Sequence, residues 1–194
     1  MNQLFQAFSE GMAHIFCLDA MDHILFLLVV CASYDYSLLK RIFWLVTAFT
    51  IGHAFTFVLS ALGYAPSVRS WAEVLIPFTI LITAIVNWCK PERQKGLIEK
   101  GKTLIYLLTI TCGSIHGLAI GSMIRIKLDP GENFLGQLIG FNLGVEVAQI
   151  AVVVLILTTQ WTLMRLLGIK LGHWRIGVSG IGFGAALLIL LDTL

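Results

Sequence analysis

Residues 11–32, GMAHIFCLDAMDHILFLLVVCA, are long and apolar enough to cross a bilayer, yet they carry His14, Asp19, Asp22 and His23. An ionisable group at membrane depth costs at least ~2.5–3.5 kcal/mol, so such groups face a polar interior, a partner or an ion. On a helical wheel of about 100° per residue, Asp22 and His23 both fall within about 60° of Asp19. Three side chains able to ligate an ion therefore share one helix face.

The rest of the chain is of the same kind. It is 58% hydrophobic and only 12% charged over 194 residues, about half the charge of a soluble domain. Hydropathy predicts an all-α polytopic membrane bundle forming a single integral domain. Six transmembrane helices are expected at roughly 11–32, 41–62, 71–89, 103–125, 134–159 and 174–193. A seventh is allowed for, and the connector WTLMRLLGIKLGH reads as an interfacial amphipathic turn, where Trp161, Met164, Leu167 and Leu171 recur at helical spacing opposite Arg165 and Lys170. The first ten residues lack a basic n-region and a long apolar core, so no removable signal peptide is expected.

Six crossings divide the basic residues between two sets of loops. Lys40, Arg41, Lys90, Arg93, Lys95, Lys100, Lys102, Arg165, Lys170 and Arg175 fall on one side, against Arg69, Arg125 and Lys127 on the other. The positive-inside rule then turns both termini outward, to the periplasm if the membrane is a bacterial inner membrane. A formal net charge of +2 gives no reason to expect nucleic acid as a partner.

On straight helices rising ~1.5 Å per residue, His14 enters near the outer surface while Asp22 and His23 lie about 12–18 Å deeper. His53 then stands about two-thirds along the outward-running second helix, Glu73 at the outer start of the third, His116 just past the middle of the fourth and Glu146 midway along the fifth. Ionisable groups therefore cluster from midplane to outer surface, and the inner half holds almost none. Asn142, Glu146 and Gln149 form one polar stripe on the fifth helix. Glu146 would be uncompensated in a mere hydrogen-bond ladder, which favours an ion-facing role. His14, Asp19, Glu73, Asn142 and Gln149 are candidate entrance or supporting groups.

Three glycine series, Gly113/Gly117/Gly121, Gly136/Gly140/Gly144 and Gly177/Gly180/Gly184, predict close helix approach. Pro77 predicts a kink in the third helix. Cys17, Cys31, Cys89 and Cys112 form no C-x-x-C pair and read as apolar packing residues, with Cys112 a weaker candidate for a soft ligand.

Imidazole and carboxylate together suit nickel, zinc, cobalt or iron better than copper(I). A carboxylate beside a histidine fixes its tautomer or supplies charge, which is a physical use for Asp22 next to His23. The candidate metal ligands are thus His23, Asp22, His53, His116 and Glu146. The same groups also suit a proton relay.

Taken in order, HIFCLDAMDHILFLL, FTIGHAFTFVLSALG, AEVLIPFTI, GSIHGLAIG and GFNLGVEVAQ resemble the HupE/UreJ family, membrane proteins tied to hydrogenase and urease maturation and regarded as nickel permeases. The resemblance places one block on each helix from residue 11 to about 153, with departures at Leu18, in GHAFTF and in IPF that mark a divergent branch. It implies a compact bundle of six or seven helices, nickel as the carried ion and a metalloenzyme-maturation partner. Carried over, the family's Asp-His pair falls on Asp22 and His23, its preceding histidine on His14, and its later positions on His53, Glu73, His116 and Glu146.

The first functional expectation is accordingly a permease for a divalent transition metal, nickel before zinc. No phosphate-binding glycine loop is present, so ATP is not its own energy source. A zinc-dependent intramembrane hydrolase acting on a lipid or lipid-linked substrate is the alternative, with His23, His53 and His116 on the metal, Asp22 or Glu146 as base and Ser114 a weak nucleophile candidate. A membrane accessory subunit with a structural metal is the third.

Overall fold

The computed structural model describes residues 3–17, 20–65, 69–89, 102–124 and 133–193. Among these residues seven α-helices follow one another: α1 (Gln3–Phe16), α2 (Met21–Cys31), α3 (Leu39–Ala61), α4 (Arg69–Trp88), α5 (Lys102–Ile124), α6 (Phe134–Leu167) and α7 (Leu171–Thr193). A 3₁₀ turn at Tyr36–Leu38 precedes α3, with Asp35 accepting from the Ser37 amide at 3.0 Å. No strand occurs among the described residues.

Among the described residues, five helices are individually long and apolar enough to span a membrane. Their outward faces carry large apolar side chains, including Phe55 at 66%, Leu155 at 67% and Leu188 at 70% exposure. Such a belt is a liability in water but ordinary against lipid chains. The chain is a membrane protein whose exterior meets the bilayer.

The first expected span is broken. α1 and α2 are inclined by 68° to each other, whereas the sequence reads as one continuous helix. Contacts at the two ends decide what this pair does. The Leu4 carbonyl lies against Gly140 near the start of α6, while Gln160 Nε2 donates to the Tyr34 carbonyl at 2.9 Å near its end. From Gly140 to Gln160 an α-helix climbs about 30 Å, a bilayer core's thickness. The pair therefore traverses the bundle as one interrupted span and does not turn back, bringing the number of crossings to six.

The seventh helix thus comes from this break, and the connector expected as an interfacial turn is mostly helical instead. Residues 161–167 continue α6, because no helix breaker precedes Gly168, which ends the helix in the left-handed region at φ 65°. α4 runs through Pro77 as a single helix.

Glycines set the two closest packings. Gly113 and Gly117 lie against the carbonyls of Phe49 and His53, and Gly121 against Ser60 and the Phe57 carbonyl, joining α5 to α3. Gly11 lies against the Phe141 carbonyl, and Gly140 and Gly144 against those of Leu4 and Phe8, joining α1 to α6. Both pairs run parallel, as helices separated by an even number of crossings must. The third series departs from expectation: a side chain at Gly177, Gly180 or Gly184 would meet no neighbouring helix within 4 Å among the described residues, and Gly182 makes the approach, to Val29.

A methyl group on Gly144 would strike the Phe8 carbonyl and the Met12 amide, both backbone. Gly144→Ala is expected to destabilise the protein by about 1–3 kcal/mol, read as a lowered thermal midpoint in detergent. Gly180→Ala, facing open space, should show no loss. Equal midpoints for the two variants would contradict the packing of α1 on α6.

Candidate metal centre

The cluster forms where the first span is interrupted. His14 lies in the last turn of α1, and Asp22 and His23 lie in the first turn of α2. A helix C-terminus favours positive charge and a helix N-terminus negative charge, so this break suits a cation held beside a carboxylate. Asp22 Oδ1 accepts from the His23 amide at 2.8 Å and stands 2.9 Å from His23 Nδ1. A carboxylate oxygen only accepts, so Nδ1 carries the proton and Nε2 presents its lone pair.

The same bookkeeping applies to the other two buried rings. His116 Nδ1 stands 2.8 Å from the Cys112 carbonyl, which also only accepts. His53 Nδ1 stands 3.4 Å from Asn142 Oδ1, an amide whose Nδ2 is held by the Leu138 carbonyl at 2.9 Å. In each ring Nδ1 is the donor and Nε2 the free lone pair. The Nε2 atoms of His14, His23, His53 and His116 are all buried without a hydrogen-bond partner among the described residues.

These rings converge. The His23 ring centroid lies 4.2 Å from that of His116, 5.1 Å from His14 and 6.0 Å from His53. Asp22 Oδ2 approaches His116 Nε2 to 3.5 Å without a hydrogen bond, so two lone-pair groups face each other. Asp22, His23 and His116 each offer a donor atom within 4.8 Å of the others. Ligands sharing an ion at ~2.0–2.2 Å stand at most about 4.4 Å apart, so small rotations would close this set. Orphaned imidazole lone pairs beside a carboxylate fit a divalent borderline metal.

Three phenylalanines wall the centre. Phe49 lies 5.3 Å from the His116 ring, 5.8 Å from His23 and 6.1 Å from His53, while Phe57 stacks on His53 at 6.0 Å and on Phe141 at 5.0 Å. They exclude water and strengthen any charge interaction inside. Sequence reasoning passed over them, although Phe49, His53 and Phe57 recur at four-residue spacing. Cys112 is not aimed at the lone pairs: its Sγ lies 3.6 Å from His116 Nδ1, on the ring's other side, and 3.2 Å from Thr79 Oγ1.

The remaining candidates lie elsewhere. His14, expected near the outer surface, stands beside His23 because of the break. Glu146 is half-buried and lines a groove of about 440 Å³ between α3 and α6, together with Thr47, Thr50 and Asn142. Gln149 is buried and accepts from Thr50 Oγ1 at 3.0 Å. Glu73 is exposed near the start of α4. Ser114 sits in the α3–α5 seam, its carbonyl accepting from Thr56 Oγ1 at 2.7 Å. Asp19 lies outside the described residues.

A protein-family model described as HupE / UreJ protein matches residues 1–191. No curated protein and no solved structure matches the chain.

Proposed function

Since the chain belongs to the HupE/UreJ family, we propose that it is a permease carrying a divalent transition metal, nickel first and zinc second, inward across a bacterial inner membrane. The observation that carries this reading is the convergence of unpartnered Nε2 atoms from His23 and His116 on the Asp22 carboxylate at the break in the first span, with the rings of His14 and His53 beside His23. The ion exchanges water for imidazole and carboxylate, with Asp22 offsetting part of its charge in a poorly polarisable interior. His14 guards the approach from α1. Both termini face the periplasm, following the distribution of basic residues.

No dedicated energy source is needed. A membrane potential of 100 mV contributes about 2.3 kcal/mol per elementary charge, hence about 4.6 kcal/mol for a divalent ion. That is worth more than a thousandfold accumulation at ~1.4 kcal/mol per decade. Delivery to a metalloenzyme-maturation partner on the inner side would draw the ion onward.

The test is nickel(II) and zinc(II) uptake into proteoliposomes, with elemental analysis of the purified protein. Saturable nickel uptake that disappears in His23→Ala is the expected result. Stoichiometric bound metal without uptake would replace the permease by an accessory subunit with a structural metal.

One observation favours a second reading, a zinc-dependent hydrolase of a lipid-linked substrate. The groove holding Glu146 has the largely exposed Ile51 and Leu135 on its rim, so it opens sideways towards lipid, and Asn142 links its wall to His53. Conversion of a labelled lipid-linked ester by zinc-loaded protein, lost in Glu146→Gln, would establish it. Full nickel uptake by Glu146→Gln together with no lipid conversion by wild type would remove it.

A further inference from the structure

We infer that the inner half of the permeation path is the seam between α4 and α5, closed at its inner end by Asn87. This rests on the permease reading, and it answers that reading's main difficulty, the scarcity of ionisable groups in the inner half.

α4 carries Thr79, Thr83 and Asn87 at four-residue intervals, so they share one face. All three are buried, as is Thr109 on α5. Thr109, Cys112 and His116 are likewise spaced to share a face of α5. The two faces join at the metal centre, where Thr79 Oγ1 lies 3.2 Å from Cys112 Sγ and the Cys112 carbonyl holds His116 Nδ1 at 2.8 Å. Thr83 and Thr109 each lie about one turn further inward.

The chemistry of these hydroxyls is directional. Thr79 donates to the Ile76 carbonyl at 2.7 Å, Thr83 to the Thr79 carbonyl at 2.8 Å and Thr109 to the Ile105 carbonyl at 2.6 Å. Each has given its one proton to its own helix, so its oxygen offers only lone pairs to its surroundings. A row of neutral acceptors is what a cation leaving imidazole ligands needs, because it coordinates weakly enough to release.

The row ends at a knot. Asn87 Nδ2 donates to the Val29 carbonyl at 2.7 Å and to Ser179 Oγ at 3.1 Å, while Ser33 Oγ donates to Asn87 Oδ1 at 2.6 Å. These bonds tie α2, α4 and α7 together where the row reaches the inner end of the bundle. Opening towards the inner side requires them to part, which makes Asn87 a latch.

The experiment compares full-length wild type, His23→Ala, the Thr83→Val/Thr109→Val double variant and Asn87→Ala, using nickel(II) as the probe. Equilibrium binding and thermal midpoint are measured in detergent, and uptake in proteoliposomes. Valine matches threonine in shape while removing the acceptor. The double variant is expected to bind nickel as wild type does and keep its midpoint, while uptake falls about tenfold or more, a barrier increase of ~1.4 kcal/mol. Asn87→Ala is expected to raise downhill nickel flux several-fold. Wild-type uptake with an unaffected double variant would overturn the path while leaving the permease standing. Parallel losses of binding, midpoint and uptake in the double variant would make the hydroxyls packing groups and overturn it too. Unchanged flux in Asn87→Ala would overturn the latch. Absence of uptake in wild type itself would remove the permease reading beneath both.

Discussion

Asp22→Ala is expected to abolish nickel(II) uptake and to weaken nickel binding by about a hundredfold or more, without preventing insertion into the membrane. Asp22 has two tasks, one for each oxygen. Through Oδ1 it holds His23 in the orientation that leaves Nε2 free, at 2.8 Å to the amide and 2.9 Å to the ring. Removing such a supporting carboxylate alone typically costs about 10- to 100-fold in metal affinity. Through Oδ2 it faces His116 Nε2 and supplies the one carboxylate of the Asp22, His23 and His116 group. Asp22→Asn separates the tasks, since its amide oxygen still accepts from His23 but the charge is gone. Its affinity should therefore fall between wild type and Asp22→Ala. His23→Ala should match Asp22→Ala in uptake. Calorimetric titration of nickel into purified protein, beside proteoliposome uptake, measures all three. Wild-type binding by both alanine variants would remove the site.

The residues of this centre were legible in the sequence because ionisable groups in apolar spans are conspicuous, whatever their fold. Their arrangement was less so. On a continuous helix, nine residues place His14 about 13 Å above His23. The 68° inclination of α1 to α2 instead puts the two rings 5.1 Å apart. Nothing between residues 12 and 33 announces the break, for neither glycine nor proline occurs there. The break is tied instead to interactions distant in sequence, α1 seated on α6 through Gly11 and α2 held to α4 through Asn87. The stripe on α6 is spread over different surroundings for a subtler reason. Glu146 lies only about 40° around the helix from Asn142, and both line the groove between α3 and α6, yet of the two it is Asn142 that approaches His53. Threonines in the inner half were invisible as a group because a threonine bonded to its own helix is ordinary in apolar spans. Only the pairing of α4 with α5 brings Thr79 to Cys112. Glycine series predicted helix approach correctly on α5, while the open glycines of α7 show that spacing does not say which face meets a neighbour.

Gly117→Leu is expected to destroy the metal centre without touching a ligand. Gly117 follows His116 on α5 and lies directly against the His53 carbonyl and Thr56 Oγ1 on α3. The absent side chain at this position is what lets the two helices approach closely enough for His53 and His116 to share Phe49 as a wall, at 6.1 and 5.3 Å. A leucine there cannot be accommodated by rotating a neighbour, since the obstacle is backbone. Separation of α3 from α5 would also break the bond from Thr56 to the Ser114 carbonyl at 2.7 Å. Overpacking of this kind costs about 1–3 kcal/mol, and more where backbone must move. Nickel affinity should fall as far as in His23→Ala, because ligands displaced by about 1 Å no longer converge. Gly117→Ala should show a smaller loss of both midpoint and affinity, in the same order. The contrast with His23→Ala is diagnostic: that variant loses binding by removing a ligand while leaving the α3–α5 contact intact, whereas Gly117→Leu loses binding with every ligand present and lowers the midpoint by parting α3 from α5. Nickel titration and thermal unfolding of the two proteins in the same detergent provide the measurement. A Gly117→Leu protein that binds nickel normally would show that the histidines do not depend on the α3–α5 contact, and that His53 and His116 do not serve one ion.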